Sequence, residues 1–549
     1  MLTTTADEWW TTGVGYCLDL ERFADGDGDG HGDLLGLGRH LDHLERLGVT
    51  FVWLQPFYPS PEGDDGYDVS DYYAVDPAVG SLGHLVEVVR ALRERGIRTL
   101  VDLVVNHTSV EHAWFRDARS SRDSPYRDWY VWRDEPDPAD DDTDLFFPGE
   151  EDSVWSYDEA AGQYFRHRFY SHQPDLNTSN PEVRDEIRRI MGFWLELGVV
   201  GFRVDAVPYF VETATREGDA DDEGDGALAE PVHRGLRRDA GALSESFQML
   251  DLMRAFISRR SSEAIMLGEV NLPYDEQLEF FGGSNARMTM NFDFVLNQQM
   301  HLALARQDAG PLLAALRGRP ELAPSKSFGV FVRNHDELSL DQLAEDELAE
   351  VLAAFGPREE QQIFGRGLRL RLPTMVGHDR DRLEMVYALA FSLPGTPVLY
   401  YGEELAQDED LDLPGRLAVR THVRWGCTPE GDGVADQERD PGSVLHFFRT
   451  LVARYRDRPE LGRGSVDLLD VGSPAVLAHR STWAGRTTVT LHNLGEEPVT
   501  VRLPADVVPA GRRVLDLFGL DEQGGAEDGG GLEVTLGRYG YRWFGDVVD

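Results

Sequence analysis

Eight short apolar runs, with amphipathic helical stretches between most of them, constrain this chain more than any other feature. The runs are Val14–Leu20, Val49–Leu54, Arg98–Val105, Gly201–Ala206, Ala264–Val270, Met288–Phe294, Ser327–Val332 and Thr396–Tyr401. Short, nearly unbroken runs of this kind suit strands buried on both faces. Helical periodicity follows over Leu35–Leu47, and over Leu82–Arg95 up to Gly96. Repeated βα units imply a parallel sheet, and eight of them imply a closed (β/α)8 TIM barrel. With 549 residues the chain is longer than a barrel of roughly 250 requires, so further modules are expected.

Two stretches break the rhythm and a third ends it. Residues 107–177 are polar, aromatic and irregular, which predicts a B domain inserted after strand 3. Its Trp114, Phe115, Trp129, Tyr130, Trp132, Trp155, Tyr164 and Phe165 are mostly the core that so short a domain needs. Residues 212–238 contain DADDEGDG and read as a mobile acidic loop. From residue 463 to 549, alternating runs such as AVLAHR, TTVTLHN and GYRWFG predict a C-terminal antiparallel β-sandwich. The barrel then comprises residues 1–106 and 178–462. Within it, Gln342–Leu372 is charged, reads as helical, and is expected to form a lid over the top of the barrel.

Charge excludes some partners. With 53 basic and 98 acidic residues the formal charge is −45, which disfavours nucleic acid and anionic membranes. Lys326 is the only lysine. Cys17 and Cys427 form no CxxC pair, so neither a disulfide framework nor a zinc site is expected. The opening MLTTTADEWW lacks a basic and an apolar signal region, and no apolar run reaches the roughly 18 residues of a membrane span. A cytoplasmic enzyme is the expectation.

Barrels of this kind carry their chemistry at the C-terminal strand ends. There the third strand places Asp102 and then Asn106-His107, the fourth Arg203 and Asp205, the fifth Glu269, and the seventh Asn334-His335-Asp336. One carboxylate at a strand end is unremarkable, but several at one face point to glycoside chemistry, which needs a carboxyl to protonate the leaving oxygen and another to attack the anomeric carbon or activate water. Asp205 and Glu269 suit the close spacing of a retaining pair. Arg203, two residues before Asp205, faces the same side of its strand and would keep Asp205 ionised. Glu269 must remain protonated, so a less polar pocket or neighbouring carboxylates are expected around it. His107 and His335 are placed to bind sugar hydroxyls.

The segments DLVVNH (102–107), GFRVDAVPY (201–209), GEV (268–270) and VRNHDE (332–337) resemble the four conserved regions of the α-amylase family, glycoside hydrolase family 13. QPDLN (173–177) resembles its fifth region, and GYDVSDYY (66–73) its second βα loop. The resemblance covers essentially the whole chain. It implies Asp205 as nucleophile, Glu269 as acid/base and Asp336 as transition-state stabiliser. It also implies Tyr67, Asp68, His107, Gln173, Arg203, His335, Arg416 and Arg420 at the sugar subsites. YSHQPDLN, GFRVDAVPYF, VRNHDELSL and FSLPGTPVLYYGEE are most similar to the family's trehalose synthases, which isomerise maltose and trehalose through a glucosyl-enzyme. Two departures stand out: GEA becomes GEV, and RTPMQW becomes RTHVRW at 420–425, on the acceptor side.

Asp25, Asp27, Asp29, His31 and Asp33 alternate with glycines like the first part of a calcium loop, although Gly36 stands where an EF-hand has glutamate. Similar loops bind Ca2+ or Mg2+ in family members. The resemblance to trehalose synthases implies a second site of Asn106, Asp175, Tyr209, Glu212 and the Phe210 carbonyl. No organic cofactor is expected. Three functions follow: a trehalose synthase-type isomerase, a hydrolase or transglucosidase on short α-glucans, and a non-catalytic sugar-binding protein. The intact carboxylate set argues against the third.

Overall fold

The computed structural model describes residues 8–136, 145–147, 149–210, 247–283, 287–510, 513–519, 522–523 and 530–548. All eight apolar runs are strands: β1 Gly15–Leu18, β2 Phe51–Leu54, β3 Arg98–Leu103, β4 Gly201–Val204, β5 Ile265–Gly268, β6 Met290–Phe292, β7 Ser327–Val330 and β8 Thr396–Tyr400. They close into a barrel in sequential order, and the pairings β3–β4, β4–β5, β5–β6, β7–β8 and β8–β1 are parallel. The strands are buried almost throughout, which is why they read as continuous apolar runs rather than alternating ones. Packing divides the chain into two units, one built chiefly on residues 52–292 and the other on 293–549.

The stretch read as one helix is two, Leu34–Arg39 and Leu41–Leu47, separated at His40. Helix Leu82–Glu94 starts on a Ser81 cap, with Gly96 at φ +77° just past its end. The stretch between β3 and β4 holds a three-stranded antiparallel sheet, Trp132–Arg133, Trp155–Asp158 and Gln163–Arg166. Phe115 stacks on Trp132 and meets Phe165 edge-on, and Trp114 packs on Trp129, so most of the aromatics here are core. The 212–238 acidic stretch lies outside the described residues.

In the second unit, only Glu345–Phe355 and the single turn Leu372–Met375 of the expected lid are α-helical. The longer helix is tied to barrel helix Phe294–Arg306 by Arg306, which pairs with Glu347 and Glu350. Short strands Leu338–Ser339, Gln362–Ile363 and Gly367–Leu368 form a small sheet in place of the predicted helix. Their β-branched and glycine residues lower helix propensity there.

The C-terminal region is an antiparallel six-stranded sheet and a two-stranded sheet, Val499–Leu503 with Leu532–Leu536. Leu477 aside, inward residues of both sheets form one core, including Val489, Leu491, Val501, Leu503, Leu536 and Phe544. His479 and His492 are buried in the larger sheet. His479 Nε2 lies 2.9 Å from Thr490 Oγ1 and 3.3 Å from Ser392 Oγ. Burial pushes these imidazoles down to about 4 and about 3 respectively. Unfolded histidines titrate near 6.5, so below that pH the unfolded chain takes up protons the fold refuses, and stability falls with falling pH down to about 4. Buried Glu403, pushed up to about 7, acts in the opposite sense, so the histidine effect is read by difference. His479→Gln is expected to flatten the stability–pH slope between pH 6.5 and 4 by about 1.4 kcal/mol per pH unit in urea titrations. An unchanged slope contradicts a neutral, buried His479.

No helix of the described residues is long and apolar enough to cross a membrane.

Candidate active site

Strand register sets the first unit's site. Asp102 pairs with Arg203 across β3 and β4, and Val204 pairs with Gly268 across β4 and β5. The next residue on each of the latter strands is a carboxylate, so Asp205 and Glu269 emerge level and adjacent. Gly268 is required here: a Cβ would stand 2.6 Å from Asn291 Oδ1 on β6.

Arg203, 1% exposed, is the hub. Its Nη1 meets Asp102 Oδ1 at 2.9 Å and Asp205 Oδ1 at 2.5 Å, and its Nη2 meets Glu269 Oε2 at 2.9 Å. One planar fork thus fixes all three carboxylates. Trp53 Nε1 and Tyr67 hydroxyl donate to the other oxygen of Asp102 at 2.9 and 3.1 Å. The guanidinium carbon also lies 4.9 Å from the Trp53 ring and 5.7 Å from the Tyr67 ring. Tyr67 is therefore both a wall of the site and part of its scaffold.

Glu269 shares the Arg203 hub with the carboxylates of Asp102 and Asp205, as the expectation of neighbouring carboxylates has it. It is half-buried and accepts from Arg203 and from the Ala206 N–H at 3.1 Å. Ala206 itself sits at φ +49°, a left-handed conformation unusual for alanine, and that turn aims its N–H at Glu269.

Three further sugar-binding candidates of this unit, His107, Gln173 and Asp68, are buried. His107 is buried, its Nε2 3.2 Å from the Tyr67 carbonyl, and burial pushes its imidazole down to about 3, so it stays neutral. Gln173 donates to Asp64 Oδ2 at 2.9 Å. Asp68 accepts from Ser60 Oγ at 2.7 Å and from the amides of Gly63 and Asp64 at 3.0 and 3.1 Å. Asp68 therefore organises the loop after β2, with little acceptor capacity left over.

The second unit has its own constellation after β7. Asp336 Oδ1 is gripped by Arg416 Nη1 at 3.1 Å and Arg420 Nη2 at 3.3 Å, while His335 Nε2 lies 3.3 Å from Oδ2. Arg420 also donates to the His335 carbonyl at 2.9 Å. Glu337 neutralises Arg416 at 2.8 Å. Arg333, buried, donates to the Asp336 and Leu370 carbonyls at 2.9 and 2.8 Å. In the altered RTHVRW stretch, Gln407 Nε2 donates to the Thr421 and His422 carbonyls at 2.9 and 3.2 Å, and the Trp425 ring meets His43 edge-on at 5.2 Å.

The metal candidates separate. Carboxylates of Asp25, Asp27 and Asp29 converge, with ligand atoms within 4.8 Å of one another and all three residues exposed. Gly28 and Gly30, at φ +90° and +100°, make the loop's turns. They donate to Asp25 at 2.6 and 2.9 Å, and such amide donors hold its carboxyl below its usual range. Asp33 is not part of this group: its Oδ1 caps helix Leu34–Arg39 through the Gly36 N–H at 2.5 Å. His31 is likewise outside the converging set, its N–H donating to Asp29 Oδ1 at 2.8 Å. At the second candidate, Asn106 Nδ2 donates to Asp175 Oδ1 at 3.2 Å. Asn106 Oδ1 and Asp175 Oδ2 are buried and take no hydrogen bond among the described residues. The Phe210 carbonyl already accepts from Thr178 Oγ1 at 2.7 Å. Tyr209 packs under Arg168 at 4.6 Å, and Glu212 lies outside the described residues.

Sequence reasoning noted Asp102 only as a strand end. It did not single out Trp53, Ala206 or Arg333 at all.

The family described as "Alpha amylase, catalytic domain" matches residues 20–349, and "Sucrose hydrolase-like, C-terminal domain" matches residues 485–545. Over 98% of this chain, 35% of residues are identical to trehalose synthase of Thermus thermophilus, of whose length the chain spans 55%, about half. Trehalose synthase/amylase TreS of Mycobacterium tuberculosis is 34% identical over 90% of this chain and 83% of its own length. Among solved structures, the α-glucosyl transfer enzyme XgtA superposes with a TM-score of 0.76 at 28% identity, covering 98% of this chain and 99% of its own.

Proposed function

Because the chain belongs to the α-amylase family, glycoside hydrolase family 13, we propose that it is a retaining α-glucoside enzyme of trehalose synthase type, with Asp205 as its nucleophile. The observation that carries this reading is Arg203, whose two terminal nitrogens hold Asp205 and Glu269 as adjacent carboxylates. The substrate is a small α-glucoside such as maltose or trehalose. Asp205 attacks the anomeric carbon as the glycosidic C–O bond breaks, and the leaving oxygen takes a proton from Glu269. Glu269 must arrive protonated and give up its contact with Arg203 as it turns to the leaving oxygen. Asp336, held by Arg416 and Arg420, supports the oxocarbenium charge. The freed glucose then offers a different hydroxyl to the glucosyl-Asp205 ester, Glu269 takes that proton, and trehalose forms without net consumption of water. His107, His335, Gln173 and Tyr67 position hydroxyls. Incubation with maltose followed by NMR tests the reading: trehalose is the expected main product. Glucose alone places the chain among the hydrolases, and longer or 1,6-linked products among the transglucosidases. The amylase half of the mycobacterial relative's name favours keeping that second reading.

Ala206 positions Glu269 through its backbone. Ala206→Gly keeps the left-handed turn and is expected to hold turnover within about threefold. Ala206→Val, whose branched side chain resists that region at a cost of roughly 1–3 kcal/mol, should lose about tenfold or more and shift the basic limb of the pH–rate profile. Identical profiles for both variants contradict the role.

Ca2+ (or Mg2+) is proposed at the Asp25, Asp27 and Asp29 loop, whose converging hard oxygens fit it. A second ion is proposed at Asn106 Oδ1 and Asp175 Oδ2, which accept no hydrogen bond among the described residues, and there it would compete with Arg166, 3.9 Å from Asp175 Oδ2. These ions would be structural, clamping loops. Elemental analysis after chelator-free dialysis should find at least one per chain, and EDTA should lower the melting temperature by a few degrees. A metal-free protein with unchanged melting contradicts both sites. A cytoplasmic location fits small α-glucoside metabolism.

A further inference from the structure

We propose that the depression between helices Arg380–Ser392 and Val444–Arg456 binds a small phosphorylated carbohydrate, with Arg454 as its anion anchor. It is an open surface depression of about 550 Å³. Arg380, Arg449 and Arg454 line it against a single carboxylate, Glu384. In a chain of net charge −45, a concavity with this excess of cations inverts the prevailing sign.

The three arginines are not equivalent. Arg380 is paired with Glu384 at 2.8 Å, and Arg449 binds both oxygens of Glu438, at 2.9 and 2.5 Å. Arg454 is half-buried and, unlike the other two, has no carboxylate partner among the described residues. A partly desolvated guanidinium without counter-charge is unfavourable, and its terminal nitrogens suit a phosphate oxygen. The depression also reaches Ser443, the N-cap of the thirteen-residue helix, whose side chain accepts the His446 N–H. From Ser443 to Arg454 the wall runs about 16 Å along the helix axis, more than a lone phosphate fills. Between them it presents His446, Phe447 and Thr450, an imidazole, a ring face and a hydroxyl suited to a sugar. None of these residues belongs to the proposed catalytic machinery.

Calorimetric titration with glucose 1-phosphate, inorganic phosphate and maltose, all at one ionic strength, tests this. Glucose 1-phosphate should bind once per chain and more tightly than inorganic phosphate. Arg454→Gln should weaken it at least tenfold, and so should Thr450→Glu, which adds a carboxylate at an exposed helix position. Turnover of the α-glucoside substrate stays at the wild-type level in both. No binding of either anion, binding unchanged in both variants, or equal affinity for the two anions would overturn the proposal.

Discussion

Replacing Asp205 with alanine is expected to lower turnover of every α-glucoside the enzyme accepts by roughly 10⁴-fold or more. Isomerisation, hydrolysis and transglucosylation all pass through the same glucosyl ester in this account, so none survives selectively. The loss is chemical rather than structural. Asp205 is only 6% exposed, but its removal leaves Arg203 still paired with Asp102 and Glu269. The fold and its melting temperature should therefore change little. A small external nucleophile such as azide, entering the space the carboxylate vacates, should restore partial turnover with inverted anomeric configuration. Substantial unaided activity in the variant contradicts the mechanism, because Glu269 alone cannot serve as both nucleophile and acid.

The second large effect belongs to Arg203. Arg203→Leu strands Asp102, which is fully buried, and removes the shared donor from Asp205 and Glu269. Breaking a buried pair by deleting one partner costs about 3–5 kcal/mol. Loss of stability by that amount in urea titrations, together with loss of turnover, is expected. Arg203→Lys separates the two roles. A lysine restores the positive charge but cannot bridge positions held by Nη1 and Nη2 together, so stability should recover in part while turnover stays at least about a hundredfold down. A lysine variant with near wild-type turnover contradicts the fork as the element aligning nucleophile and acid.

The eight barrel strands were legible in the sequence because burial on both faces leaves an unbroken apolar run, and their polar end residues announced Asp205, Glu269 and Asp336. The C-terminal sheets were legible by alternation. What the chain brings together across strands was not. Asp102 reads as one more strand-end carboxylate until the β3–β4 register sets it against Arg203. Ala206 carries no signal of its left-handed turn, because alanine rarely adopts it and only the surrounding strands impose it. The helical period over Gln342–Leu372 misled because local propensity competes with pairing in the small sheet at Gly367–Leu368. Asp33 continued the acidic alternation of the Asp25 loop but is spent on a helix cap.

The central claim is the covalent ester on Asp205. Brief incubation with 5-fluoro-α-glucosyl fluoride, whose glucosyl-enzyme breaks down slowly, followed by proteolysis and peptide mass spectrometry, tests it directly. One fluoroglucosyl adduct per chain on Asp205, in the GFRVDAVPY segment, is the predicted result. An adduct on another carboxylate, or an unlabelled chain that nonetheless turns the reagent over, would contradict it.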